Sequence, residues 1–225
     1  MSVLSIVLIA LGVGAVGLLA NREHRSIRAS REALLDDCAS ALEGPERTLC
    51  GDGFPRLVGR DRGRSVHVQL ISDTMVVRRL PQLWVFVTML ERLRDLPSLA
   101  ILVRPAGYEF YSLTSGLTHA MGTPAILPQE VLIRGSDPRA EDLLEGLTPS
   151  LATILADPRV KEVALTSKGV RIIRQAAEGR RGEHLLLRQP VFDDAKVAAS
   201  DLVELLDQIH LLRFALDDQI QKQAA

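Results

Sequence analysis

The residues best suited to chemistry lie in a stretch at positions 108–128 that contains several glycines and prolines. Tyr108, Tyr111, Ser115 and His119 bring phenol, hydroxyl and imidazole groups close together along the chain. A serine and a histidine can form a nucleophile and its base, but the GxSxG pattern is absent and no third group is identifiable. Because loops on a rigid scaffold often carry function, this stretch is a candidate ligand pocket, with an ordinary connecting loop as the alternative.

No motif in the sequence indicates catalysis or a bound cofactor. The phosphate-binding loop and the dinucleotide fingerprint are both absent, and the histidines are dispersed without an HExxH or CxxC pattern. Cys38 and Cys50 have a separation that matches no zinc or haem site, and we expect both to be free thiols. The net charge of −1 gives no overall attraction to nucleic acid. We therefore expect a non-enzymatic protein without a cofactor, a metal site or a nucleic-acid partner.

The apolar stretch at residues 1–20 is the strongest signal in the chain, because Val3 to Ala20 contains no ionisable side chain. An α-helix rises about 1.5 Å per residue, so roughly 20 apolar residues cross a hydrocarbon core of about 30 Å. The stretch predicts an uncleaved transmembrane anchor. A cleaved signal peptide is the alternative, but it needs basic residues before the apolar run and small residues at its cleavage site, where Leu18 stands instead.

Arginines follow the predicted span, and none precedes it: Arg22, Arg25, Arg28 and Arg31. Since positive residues are retained on the cytoplasmic side, we expect the N-terminus outside and the domain in the cytoplasm, at a bacterial inner membrane. The same arginines are candidates for contact with anionic lipid headgroups. The alternative is that they only determine the orientation of the anchor.

Small residues follow one face of the predicted span. Ala10, Gly14 and Gly17 lie at positions i, i+4 and i+7, where a second transmembrane helix can pack closely. Glycine is also common in membrane helices without such a role. The spacing therefore indicates a candidate contact with a membrane-protein partner or with a second copy of the chain.

The remaining sequence predicts an α+β fold: a mainly antiparallel sheet packed by two or more helices, including a long C-terminal helix. We expect a helical stalk at 21–43, a linker at 44–53 and a cytoplasmic domain at 54–225. Val66, Val68 and Leu70 alternate with polar residues, as in a half-buried strand of a hairpin.

Two helices are expected in the second half of the chain. The first follows Asp137 and Pro138, which suit the start of a helix, and Pro149 inside it is expected to kink or divide it. The second runs from about 193 to 221, and its apolar residues recur every three or four positions. That periodic run is too short to favour a coiled coil, so we expect this helix to pack on its own sheet.

These patterns favour a membrane-anchored interaction, scaffold or accessory subunit of a bacterial membrane complex. One alternative is a tethered ligand-binding or enzymatic domain that uses the 108–128 loop. Another is a domain that binds anionic membrane lipid through arginines of the stalk and of the first hairpin.

Overall fold

The computed structural model describes residues 3–74, 80–93, 95–107, 109–179, 192 and 195–224. Its helices are α1 (Val3–Glu32), α2 (Ala140–Leu155) and α3 (Ala199–Ala224). Its strands are β1 (Glu43–Leu49), β2 (Pro55–Asp61), β3 (Arg64–Asp73), β4 (Gln82–Leu90), β5 (Leu99–Val103), β6 (His119–Met121), β7 (Val131–Gly135), β8 (Val160–Thr166) and β9 (Gly169–Glu178). Short 3-10 helices cover Ala33–Leu35, Asp37–Ala41 and Leu113–Gly116. The chain is an α+β protein.

Within the described residues the nine strands form one antiparallel sheet in the order β1-β2-β3-β4-β9-β8-β5-β7-β6. The predicted hairpin of β2 and β3 is confirmed, and its turn places Arg62 and Gly63 at φ 49° and 78°. Two consecutive positive φ angles match the right-handed twist of the strands that such a turn connects. The turn of the β8–β9 hairpin ends at Gly169. A Cβ at this position would lie 2.0 Å from the carbonyl oxygen of Met89.

One face of the sheet packs against α2 and α3. Alternation along β3 directs Val66, Val68 and Leu70 to this face, where all three are buried. The apolar stripe of α3 packs into the same core, and each of its members is at most 1% exposed: Leu202, Leu205, Ile209, Leu212 and Leu216. The expectation that the C-terminal helix packs on its own sheet is confirmed.

The segment between the predicted anchor and the domain differs from the expectation. The helix α1 ends at Glu32, and the 3-10 helices that follow it bury Leu34, Leu35 and Cys38 in the core. The predicted helical stalk at 21–43 is therefore wrong beyond residue 32, because burial of these side chains overrides helix propensity. Cys38 is a buried free thiol whose Sγ lies 3.3 Å from the carbonyl oxygen of Val197.

The predicted linker at 44–53 is also corrected, since most of it is the edge strand β1. All seven residues of β1 are exposed, and the strand pairs with β2 from Glu43 to Leu49. Backbone hydrogen bonds form such a strand without any apolar alternation, so its sequence carries no period-2 signal.

The helix α2 begins three residues after Asp137, whose carbonyl oxygen accepts the N–H of Ala140 at 3.1 Å. Pro149 does not divide it, because the helix is continuous to Leu155. The hydroxyl of Thr148, beside the proline, donates to the carbonyl of Leu144 at 2.7 Å. The missing N–H of Pro149 predicts a kink or a division of the helix. The division does not occur, because packing of the apolar face keeps the helix continuous.

The predicted transmembrane span lies in α1. Among the residues that the structure describes, no helix has the length and apolarity needed to cross a membrane. The transmembrane helix therefore stays a prediction from the sequence.

Candidate functional site

The face of the sheet opposite the helices carries a second, smaller apolar cluster. Trp84 and Phe86 alternate with the core residues of β4 and project from this face beside Ile173 of β9. Tyr111 belongs to the segment after β5, residues 104–107 and 109–116, which we call the covering segment. The ring of Tyr111 covers the two side chains, with its centroid 6.0 Å from that of Trp84 and 5.7 Å from that of Phe86. These tilted and edge-on arrangements are the ones that aromatic rings favour. The cluster fixes the position of residues 109–116 on the sheet.

A buried carboxylate of the sheet also holds residues 112 and 113 of the covering segment. Glu162 of β8 is fully buried and accepts hydrogen bonds from the Ser112 hydroxyl, from the backbone N–H of Leu113 at 3.1 Å and from the guanidinium of Arg171. A buried charge is tolerated only when its lone pairs are satisfied, and here they are. Glu162 therefore ties the 3-10 helix of the covering segment to β8 and β9.

A second ion pair holds the start of the segment. Lys161 Nζ donates to Glu109 Oε1 at 2.8 Å and to the carbonyl oxygen of Arg104 at 2.7 Å. A register shift between Val160 and Glu162 lets Lys161 leave the regular pattern of β8. Burial would raise the pKa of Glu109, but hydrogen bonds from Lys161 and from a backbone N–H lower that pKa below its usual value. The pair is thus ionised and fixed.

A cavity of about 340 Å³ lies between this segment and the sheet. Three neighbouring strands form its rim, because the last residue of β3, Asp73, stands opposite Gln82 of β4, and Gln82 stands opposite Glu178 of β9. The lining residues that the structure describes are an aromatic pair, two amides, three carboxylates, two basic groups and one alanine: Trp84, Tyr111, Gln82, Gln175, Asp73, Glu109, Glu178, Arg104, Lys161 and Ala106. We call this space the Trp84 cavity.

Hydrogen bonds fix parts of the cavity wall. The amide of Gln82 donates to Glu178 at 2.9 Å and accepts from Gln175. Arg104 has a φ of 48°, which is uncommon for a residue other than glycine, and its guanidinium donates to the carbonyl oxygen of Pro158 at 2.6 Å. Backbone outliers of this kind cluster at binding and catalytic sites.

Two polar atoms of the lining residues have no partner. Trp84 Nε1 and the Tyr111 hydroxyl are buried and make no hydrogen bond within the described part of the chain. Trp84 is 7% exposed and Tyr111 is 8% exposed. Burial, with added repulsion from carboxylates that include Asp73, raises the pKa of the Tyr111 phenol, so the hydroxyl keeps its proton as a donor. Unsatisfied buried donors are rare in proteins, and both of these belong to residues that line the Trp84 cavity.

The structure brings one of the four predicted loop residues to this cavity. Tyr111 lines it, whereas Tyr108 lies outside the described residues. Ser115 Oγ donates to the carbonyl oxygen of Ser112 at 3.2 Å, and His119 Nε2 lies 2.7 Å from a carboxylate oxygen of Glu141 on α2. The side chains of Ser115 and His119 thus have separate partners, and neither lines the Trp84 cavity.

The residues predicted for membrane contacts lie on α1. The side chain of Ala10 lies outside the described residues, while Gly14 and Gly17 are exposed. The arginines differ in their surroundings. Arg22 and Arg25 are exposed, Arg28 pairs with Glu32 at 3.2 Å, and Arg31 stacks on the ring of Phe54 at 5.2 Å.

The arginines of the stalk and of the first hairpin lie at opposite ends of β2. Arg31 contacts Phe54, just before that strand, and Arg62 follows it and pairs with Asp207 of α3 at 2.8 Å. Arg56 and Arg60 are exposed on β2 between these two ends.

Most residues of the cavity were missed by reasoning from the sequence. The one available signal is the run from Leu83 to Met89, which is apolar at almost every position and so indicates burial on both faces of β4. That signal places Trp84 on a covered face. It does not identify the polar residues beside it, because most of these come from three other strands and one loop.

No protein-family model matches the chain, and no curated protein sequence matches it. Among solved structures, the chain is similar to the crystal structure of the mycobacterial trehalose monomycolate transport factor A, TtfA. The TM-score is 0.39 and the sequence identity is 9%, over 72% of this chain and 70% of the other. A TM-score of this size does not establish a shared fold, so nothing known of that factor is transferred to this chain.

Proposed function

We propose that this chain is a membrane-anchored, non-enzymatic accessory protein whose domain binds a small polar ligand in the Trp84 cavity. The observation that carries the proposal is a pair of buried donors, Trp84 Nε1 and the Tyr111 hydroxyl. They lack partners among the described residues, and both residues line a cavity of about 340 Å³. A buried donor without a partner costs about 1 to 3 kcal/mol. A ligand acceptor would recover that free energy on binding.

Binding without turnover fits the charged groups of the cavity. Lys161 and Glu109 pair with each other and with the backbone of the covering segment. A group with these partners positions the segment and is poorly placed to transfer a proton to a substrate. The Ser115 hydroxyl and the His119 ring, the candidate nucleophile and base, have partners elsewhere.

The membrane part of the proposal comes from the sequence. The stretch Val3–Ala20 lacks ionisable groups and is followed by arginines, which favours an anchor with the domain on the cytoplasmic side of a bacterial inner membrane. A partner helix would use the face of Ala10, Gly14 and Gly17, and either a membrane protein or a second copy could supply it. Lipid headgroups would contact the exposed Arg22 and Arg25.

Thermal unfolding tests ligand binding without knowledge of the ligand. The full chain, in a detergent without a sugar headgroup, is dialysed against the low-molecular-mass fraction of a bacterial extract and then heated. A ligand present at about ten times its Kd stabilises the folded state by about 1.4 kcal/mol, which raises the Tm of a chain of this size by about 3 to 6 °C.

Two matched variants interpret the result. Ala106→Leu adds bulk to the cavity wall, and Ala120→Leu makes the same change at an exposed position of the edge strand β6. We expect the extract to raise the Tm of the unmodified chain and of Ala120→Leu, and to leave that of Ala106→Leu unchanged. No shift in the unmodified chain, or an equal shift in both variants, contradicts binding in the Trp84 cavity.

The anchor is tested separately by fractionation of cells that express the full chain or a chain lacking residues 1–20. We expect the full chain in the membrane fraction after an alkaline wash and the shortened chain in the supernatant. Release of the full chain by the wash contradicts the anchor and leaves the ligand test unaffected.

A further inference from the structure

We infer that the end of the sheet that carries the Trp84 cavity faces the lipid bilayer, which makes the headgroup layer the nearest partner surface of this site. The inference rests on the membrane anchor of the proposed function and adds the orientation of the domain on that anchor. It follows from the path of the chain after α1, from the contacts that hold α1 to the domain, and from the strand register at the cavity.

The chain enters the domain at the start of β2. Arg31, in the last turn of α1, lies over the ring of Phe54, which immediately precedes β2. Leu42 lies near the other end of that strand, since a Cβ on Gly59 would be 2.9 Å from the Leu42 Cβ. Residues 31–42 therefore run along β2 from its first end toward its last, and α1 approaches from beyond the first end.

The part of α1 before this point extends away from the domain. Arg22, Arg25, Ser26 and Arg28 are all exposed. The predicted span ends at Ala20, and the helical residues 21–32 rise about 18 Å from it. The bilayer surface therefore lies on the side of the domain from which α1 approaches, which is the side of the start of β2.

Contacts at the end of α1 hold the domain in one orientation. The guanidinium of Arg47 on β1 donates to the carbonyl oxygen of Glu32, the last residue of α1. Leu34, two residues after the helix, is buried in the core, and its carbonyl oxygen accepts the N–H of Val197 at 3.0 Å. Because packing begins this close to the end of α1, the direction of the anchor determines which end of the sheet faces the membrane.

The cavity lies at the same end of the sheet as the start of β2. Arg56, the second residue of β2, stands opposite Gln69, and Asp73 lies four residues further along β3. Asp73 therefore extends about 10 Å past the first residue of β2, toward the side of α1. The register continues this row across the sheet, since Asp73 stands opposite Gln82 and Gln82 stands opposite Glu178. These last three residues form the rim of the Trp84 cavity.

The other end of the sheet carries the β2–β3 and β8–β9 turns and faces away from the bilayer. Leu90, the last residue of β4, stands opposite Ser65 beside the first turn and opposite Gly169 beside the second. Its side chain is 38% exposed and lies on the same face as Trp84, because alternate residues of a strand share a face. Positions 84 and 90 mark the two ends of one strand, about 20 Å apart.

Energy transfer to labelled lipid measures this orientation, because Trp84 is the only tryptophan of the chain. The full chain is reconstituted in vesicles of phosphatidylethanolamine and phosphatidylglycerol, with and without dansyl-phosphatidylethanolamine. The matched chain is Trp84→Phe with Leu90→Trp, which moves the donor to the other end of β4. We expect the fraction of emission lost to dansyl to be about twofold larger, or more, for Trp84, since the two donors differ by about 20 Å along the strand.

The outcomes distinguish this inference from the proposed function. Urea denaturation checks that the matched chain is folded, and Trp84→Tyr replaces Trp84→Phe in it if it is not. Equal transfer from the two positions, or larger transfer from position 90, overturns the inference and leaves the anchor and ligand binding intact. Release of the full chain from the vesicles by an alkaline wash removes the anchor and this inference with it, while ligand binding is still decided by thermal unfolding.

Discussion

Removal of the Tyr111 hydroxyl should stabilise the ligand-free protein, the reverse of the usual effect of deleting a buried polar group. In most proteins a buried tyrosine hydroxyl is hydrogen bonded, and its removal costs about 1 kcal/mol. Here the hydroxyl is buried without a partner among the described residues. Tyr111→Phe keeps the ring contacts with Trp84 and Phe86 and removes only the unsatisfied group.

The size of the effect follows from the surroundings of the hydroxyl. Burying a hydroxyl without a hydrogen bond costs about 1 to 3 kcal/mol in mutational studies. The hydroxyl oxygen is shielded from water, so the gain from its removal should reach at least the lower limit of this range. We therefore expect Tyr111→Phe to raise the free energy of unfolding by about 1 kcal/mol and the Tm by about 2 to 4 °C.

Ser112→Ala is a matched control, because it deletes a hydroxyl one residue away that is fully engaged. Ser112 Oγ donates to Glu162, contacts the Thr114 hydroxyl at 2.7 Å and accepts the Thr114 N–H at 3.1 Å. Its loss should lower the free energy of unfolding by about 1 to 3 kcal/mol. Urea denaturation of the full chain, without added ligand, measures both variants.

The opposite signs of the two changes form the test. A loss of 1 kcal/mol or more in Tyr111→Phe would show that the hydroxyl has a structural partner, and it would remove the main reason for assigning a ligand to this cavity. A gain in both variants would show that the covering segment is not held by the hydrogen bonds described above.

Four further predictions concern the framework of the site. Glu162→Gln should lower the free energy of unfolding by about 3 kcal/mol, because the partly buried guanidinium of Arg171 loses its charged partner. Amide exchange at Leu113 should then speed up more than exchange in the helix-packed core. Ile209→Ala in α3 should cost about 3 kcal/mol by urea denaturation, whereas a cost below 1 kcal/mol would contradict its place in the core. Gly169→Ala should cost about 2 to 3 kcal/mol in the same assay, since a Cβ there would meet Met89, and an unchanged midpoint would contradict the turn geometry. Burial, with repulsion from Arg56, lowers the pKa of His67, so the folded state disfavours protonation of this side chain and loses stability as the pH falls below about 6.5. His67→Gln should reduce this dependence of the free energy of unfolding on pH. The same pH dependence in the variant would contradict the lowered pKa.

The sequence predicts those elements that local signals determine. The β2–β3 hairpin combines alternating side chains with turn residues, and the stripe of α3 recurs at helical spacing, so each could be identified within its own segment. The strand β1 could not, because all its side chains are exposed and it exists through backbone pairing with β2. The 3-10 helices at Ala33–Ala41 form because their apolar residues pack into a core built by later elements.

The cavity is harder to predict than the elements around it. Its residues extend from Asp73 to Glu178 and meet because β9 lies between β4 and β8, an order that no local pattern encodes. Tyr111 can be identified because it stands in a loop with other polar and aromatic residues. Lys161 and Glu162 cannot, since charged residues within an apolar strand become meaningful only when their partners on other elements are known.

The emission of Trp84 in the full chain tests the central claim most directly, because this residue lines the cavity and is the only tryptophan. The spectrum is recorded before and after dialysis against the low-molecular-mass fraction of a bacterial extract, for the unmodified chain and for Ala106→Leu. We predict a change in emission for the unmodified chain that is absent in Ala106→Leu. An unchanged spectrum in the unmodified chain, or the same change in both, would contradict ligand binding in the Trp84 cavity.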